Sequence, residues 1–163
     1  MNSIFKRVSI RKFTNQKVEE EKIELLMKAA MAAPSAHNQQ PWEYYVVTDE
    51  NTIQQLSKCG KYAGFAAEAP LVIVPCMVKE TVAPEFARVD VAASVENILL
   101  EATELGLGAT WCGVEPHEDL MDAIRNVLSI PDTLIPFCLI VAGYPGEEKQ
   151  QQNRYEESKI HRI

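Results

Sequence analysis

The stretch EFARVDVAASVENILLEATELGLGATWCGV, residues 85–114, reads as a long helix from about Glu85 to Leu105, a turn, and a strand over Ala109–Val114. Gly106 is placed to end the helix in the left-handed conformation, which glycine adopts at little cost. Upstream, Pro70 precedes a buried-strand run, Leu71–Val78, and a break around Thr81–Pro84 leads into the helix. Downstream, Glu118–Leu128 reads as a helix ended before Pro131. Leu134–Tyr144 is continuous and apolar enough to be a central strand. Nearer the start, Val18–Ala33 repeats Ile23, Leu26, Met27, Ala30 and Ala33 at the helical period, with Glu19, Glu20 and Glu21 suiting its N-terminus. Pro34 stops it, Ser35–Pro41 is a polar loop, and Glu43–Thr48 has the aromatic and β-branched residues of a strand. Asp49 is a candidate N-cap for a helix through about Lys58, and Lys58–Gly64 is irregular. A first short helix is expected over about Asn2–Val8, with Thr14 or Asn15 turning the chain. Helices and strands in this mixture imply α/β or α+β layering.

The 163 residues carry 16 Lys+Arg against 23 Asp+Glu, a net charge of −7. No repeat, low-complexity tract or interior linker interrupts them, so one domain over 1–163 is expected, with the polar residues 146–163 as an extended C-terminal tail. Residues 1–17 hold five cations (Lys6, Arg7, Arg11, Lys12, Lys17) and no acid; 11 cations and 23 acids, −12, fall on the other 146. So negative a chain is a poor nonspecific binder of nucleic acid or anionic membrane. The basic start could be a targeting peptide, but it runs into the next helix without a small-residue cleavage site. Cys59, Cys76, Cys112 and Cys138 stand far apart and mostly in apolar stretches, which argues for a reducing, cytoplasmic setting. His37, His117 and His161 match no zinc spacing, and no metal site is expected. No apolar run reaches the ~18 residues needed to span a bilayer.

Three constellations bear on chemistry. In Arg7-Val8-Ser9-Ile10-Arg11, the two arginines share a side, and Ser9 joins them if the chain is extended. Two guanidiniums and a hydroxyl suit a phosphate; a solvated basic face is the plain alternative. The loop Pro34–Trp42 is bounded by prolines and presents Ser, Asn and Gln between a helix and a strand, as ligand-holding loops and ordinary connections both do. Gly106–Gly113 has glycines that let backbone approach something flat, but they follow a helix instead of opening one, unlike a dinucleotide fingerprint.

In order along the chain stand Arg-x-Ser-x-Arg-x-Phe (Arg7–Phe13), Ala-Pro-Ser-x-x-Asn-x-Gln-Pro-Trp (Ala33–Trp42), Glu-Ala-Pro (Glu68–Pro70) and Gly-Leu-Gly-x-x-Trp (Gly106–Trp111). Gly143-Tyr144-Pro145, Arg154-Tyr155 and Lys159-Ile160-His161 close the series. This set resembles the nitroreductase family, in its short-chain branch, over essentially the whole chain. The resemblance implies an α+β, three-layer fold: a central, mostly antiparallel or mixed sheet flanked by helices, in an intertwined homodimer with FMN at the interface. It also implies an oxidoreductase that passes a hydride from NADH or NADPH through flavin N5 to a nitroaromatic, quinone or similar small acceptor. The flavin carries that chemistry, so no catalytic side chain is expected.

Carried over by position, Arg7 and Ser9 would hold the FMN phosphate, and Arg11 the pyrimidine edge and ribityl region. Pro34, Ser35, Ala36 and Asn38 would reach the flavin from the other subunit. Backbone at Cys112 and Gly113 would face N5, Arg154 would complete the phosphate site, and Val8 and Trp111 belong to the same cofactor-binding set. Two departures stand out. Many relatives carry an Asn and a Lys near the flavin where Tyr62–Ala67 here has no cation beyond Lys61, and the Lys79–Pro84 segment is short, implying an open site. A flavin-binding carrier or sensor without turnover is the alternative function.

Overall fold

The computed structural model describes residues 3–163. In chain order the elements are α1 (Ser3–Lys6), α2 (Glu20–Met31), β1 (Trp42–Val47), α3 (Glu50–Leu56), β2 (Leu71–Val78), α4 (Ala87–Glu104), β3 (Gly108–Gly113), α5 (Glu118–Leu128), β4 (Leu134–Pro136) and β5 (Cys138–Gly143). The five strands form one antiparallel sheet in the order β1-β2-β5-β3, with β4 also paired to β2.

Side chains alternate along a strand, and β2 shows why its apolar run has no polar gaps. Leu71, Ile73 and Met77 pack with Ile140 and Ala142 beneath α2 and α4, against Ile23, Leu26, Val91, Val95 and Ile98. Val72, Val74 and Cys76 pack with Leu139 and Val141 on the opposite face, beneath α3 and α5 with Ile53, Leu56 and Ile124. Both faces of the sheet are therefore covered, which makes the three-layer α+β arrangement. Each fully buried aliphatic contributes on the order of 1.5–3 kcal/mol to it.

Local signals act as their chemistry dictates. Asp49 caps α3 by accepting from the Thr52 amide at 2.8 Å. Gly106, at φ +74°, ends α4. The helix expected over Asn2–Val8 is shorter, its described part being Ser3–Lys6, and Asn2 lies outside the described residues. This leaves Ser9 and Ile10 extended along the outer edge of β3, where Ile10 N donates to Ala109 O.

The strand expected over Leu134–Tyr144 is two strands. Ile73 pairs with Ile140 but Cys76 with Pro136, so two residues of β2 face three residues of the partner. Pro75 and Pro136 have no amide hydrogens to give the ladder, and the extra residue bulges out there. Phe137 then donates to Pro75 O at 2.9 Å, keeping the kinked chain attached. The tail from Pro145 is tied to the 7–13 segment, Gly146 N donating to Lys12 O and Gln151 to Ile4 O, both at 2.8 Å. Beyond that it is exposed, with a single helical turn at Glu157–Lys159. Among the described residues no helix is long and apolar enough to cross a membrane.

Candidate functional site

β3 carries the site because both its edges are occupied and its end is not. At its start the backbone must lie against Ile10: a Cβ on Gly108 would sit 2.7 Å from the Ile10 Cβ, so only glycine lets the Ser9–Ile10 stretch close on the sheet. The Thr110 hydroxyl donates to Ile10 O and fixes the same approach. At its far end nothing lies within 4 Å of a Cβ built on Gly113. There the strand opens on a cavity of about 230 Å³.

One wall of the cavity is Trp111, Cys112 and Gly113; the other is the Cys59–Phe65 segment, with Leu120 of α5 at the base. Arg11 reaches in from the extended N-terminal segment, its guanidinium 5.9 Å from the Phe65 ring centre. Trp111 is steadied by Phe137, ring centres 5.8 Å apart. Arg11 and Lys61 are the charged groups of the lining, which holds no carboxylate although the chain has 23 acids. The local field is positive in a negative protein. Burial pushes both cavity thiols, Cys59 and Cys112, above the usual thiol range, Arg11 pulling partly back on Cys112. Neither is a ready thiolate nucleophile.

The other expected site residues lie around this cavity or away from it. Arg7 is mostly buried and its Nε stands 3.7 Å from Glu96 of α4, a loose pair that takes up one nitrogen of the guanidinium. Val8 and Ser9 are half-buried on the strand between the two arginines, and the Ser9 carbonyl accepts from Lys149 at 3.3 Å. Among the described residues Arg7 and Arg11 share no partner. The Arg11 amide donates at 2.7 Å to Glu147, whose carboxyl is held below its usual range first by Lys149 and then by that amide. Arg154 is exposed in the tail and makes no ion pair among the described residues.

Pro34, Ser35, Ala36 and Asn38 do not line the cavity of their own chain. Their loop lies across the N-terminal end of α4, where the buried Asp90 accepts from the Ala36 amide at 3.0 Å and from Gln39 Nε2 at 2.7 Å. Asp90 and Gln39 are not legible as site residues from motif spacing. The signal for Asp90 is a carboxylate among Ala87, Val91, Ser94 and Val95, on the buried stripe of α4. Tyr62 and Phe65 complete the cavity wall, in the Tyr62–Ala67 stretch that the family resemblance places near the flavin and that carries no helix or strand signal of its own.

A model of the nitroreductase family matches residues 4–59 and 54–144. The chain belongs to the nitroreductase family. A relative in Archaeoglobus fulgidus, named provisionally as an NADH dehydrogenase/NAD(P)H nitroreductase, is 38% identical over 99% of this chain and 96% of its own. A solved structure from Clostridium acetobutylicum, described provisionally as an NADH oxidase, is 43% identical, with TM-score 0.95 over 98% of both chains. An FMN-dependent nitroreductase of Clostridium difficile superposes with TM-score 0.91 at 34% identity, covering 98% of this chain and 96% of that one. The three-layer fold of this nitroreductase-family chain is thus shared over nearly its whole length.

Proposed function

We propose that this nitroreductase-family chain is an FMN-dependent oxidoreductase, using NADH or NADPH to reduce a nitroaromatic, quinone or similar small acceptor, and that it works as a homodimer. The observation that carries the reading is the cavity at the end of β3: open backbone at Gly113, aromatic walls, two cations and no acid. Such a lining suits a planar ring that becomes anionic on reduction. At about 230 Å³ it falls short of the roughly 300–1,000 Å³ of pockets that enclose a drug-sized ligand, so one chain supplies part of the site. The residues present therefore fit FMN shared with a second copy. Exposed apolar side chains, among them Phe5 of α1, and Phe86 and Val89 at the start of α4, offer surface for that copy.

When bound, FMN supplies the two-electron chemistry, accepting a hydride at N5 and handing it on. The chain binds and orients. Arg7, Ser9 and Arg154 hold the phosphate, Arg7 through the guanidinium nitrogens that Glu96 leaves over. Arg11 serves the pyrimidine edge and ribityl region and stabilises negative charge there. Val8 and Trp111 flank the site, while the Cys112 and Gly113 backbone lies against the ring. Pro34, Ser35, Ala36 and Asn38 come from the second copy, in keeping with their distance from the cavity of their own chain.

The test is a stopped-flow mixing experiment. Purified protein loaded with FMN should bleach rapidly with NADH or NADPH and recolour with a quinone. A flavin reduced by dithionite alone supports the carrier or sensor reading, and a protein that takes up no FMN overturns both.

A further inference from the structure

The Ser35–Gln40 loop has an unusual backbone. His37, Asn38 and Gln40 all have positive φ, at 52°, 54° and 46°, and none is glycine. Side chains disfavour that region, so such a run persists only where surrounding bonds over-determine it. Those bonds are few and specific. Asp90, 6% exposed, uses one carboxylate oxygen for the Ala36 amide and the other for Gln39 Nε2. Gln39 then uses its whole amide: Nε2 also donates to Ala83 O at 3.0 Å, and Oε1 accepts from Ala83 N at 2.8 Å. A carboxylate can only accept, so the Gln39 amide has one possible orientation. Ser35 Oγ closes the loop on itself by accepting from the Gln40 amide at 3.0 Å. The loop is thereby joined to α4 and also to the Lys79–Pro84 segment.

We propose that Asp90 and Gln39 are positioning residues: their hydrogen bonds hold the Ser35–Gln40 loop in the backbone conformation with which it contacts the cofactor, and couple that loop to the segment around Ala83. The inference rests on the proposed function, which gives the loop its cofactor contact, and goes beyond it by naming two residues outside the cofactor-binding set. Asp90 keeps its partners only while it offers two acceptors. In Asp90→Asn an amide NH2 meets either the Ala36 amide or the Gln39 amide head-on, donor against donor. Adding Gln39→Glu reverses the polarity of that bond. The new side-chain amide at position 90 then donates to the new carboxylate at position 39, and Ala36 N and Ala83 N keep their acceptors, while Ala83 O loses its donor and faces a carboxylate oxygen.

The experiment measures FMN affinity by quenching of flavin fluorescence, the visible circular dichroism of the bound flavin, and the thermal midpoint of the apoprotein. Asp90→Asn should weaken FMN binding about 10–100-fold, the range for a lost hydrogen bond to a charged group, and alter the visible dichroism. The double variant should recover part of both, the contact with Ala83 O staying unmade. Should Asp90→Asn fail to fold, Gln39→Ala, which spares the Asp90–Ala36 bond, carries the same readouts. Wild-type affinity and dichroism in the single variant overturn the proposal, whatever the thermal midpoint does. So does a double variant that regains its midpoint without regaining FMN. Wild-type protein that binds no FMN overturns instead the flavin reading on which the proposal stands.

Discussion

The centre of the sheet and the Ser35–Gln40 loop are held in opposite ways. Along β2 seven of eight residues are buried, and their attachment is spread over many small apolar contacts on both faces. The loop has exposed residues, three backbones in a disfavoured region, and a short set of hydrogen bonds centred on one buried carboxylate. Distributed packing tolerates change gradually and serves stability; a few directional bonds fail sharply and serve geometry. The contrast separates what this chain needs in order to fold from what it needs in order to act.

Cutting the core should pull the two apart most forcefully. Ile73→Ala removes a fully buried side chain and should lower the free energy of unfolding by roughly 2–5 kcal/mol in urea titration, while FMN affinity per folded molecule stays near wild type. Selective loss of FMN would mean that core and site are not separable. Arg7→Ala is the converse. FMN binding should weaken by roughly 1.5–3 kcal/mol, read by fluorescence titration, with little change in the urea midpoint, since the loose pair with Glu96 holds little structure. Unchanged affinity would move the phosphate elsewhere.

Alkaline pH loads the buried sheet, and with it the cavity thiols Cys59 and Cys112. Burial pushes the Tyr44 phenol, bonded at 2.5 Å to Ser94 Oγ, up to about 12, and the Cys76 thiol also up to about 12. A proton held more tightly in the folded state stabilises below the ordinary value and ceases to as pH climbs to the folded one. Stability should therefore fall between about pH 9 and 12, from Cys76 and the other buried thiols first and with Tyr44 joining above about 10. Tyr44→Phe should flatten the upper part of that fall in a series of urea melts. The smallest effect expected is at an exposed cap: Asp49→Ala should cost about 1 kcal/mol of stability through the lost bond to Thr52 and leave the flavin untouched.

The same contrast governs what could be read from residue order. Apolar runs and helix signals are local, so β2, the α5 span Glu118–Leu128 and the Gly106 cap stand where their chemistry puts them. The bulge before β5 was not legible, because it needs Pro75 and Pro136, which are distant in sequence, to face the same stretch of ladder. At the site, Arg11, Trp111, Cys112 and Gly113 do meet in one cavity. Its opposite wall, Tyr62 and Phe65, lies in a segment with no periodicity to announce it. Asp90 and Gln39 stand 51 residues apart, and positive φ at His37, Asn38 and Gln40 leaves no mark in residues that are not glycine.

Whether two copies of this chain share FMN between them is decided by sedimentation velocity followed at the flavin absorption. One FMN per chain should travel with a particle of twice the 18.3 kDa chain mass, and Arg7→Ala should shift the colour to the free-flavin fraction while the protein still sediments as a dimer. Flavin colour on an 18.3 kDa monomer, or none on any protein boundary, would contradict it.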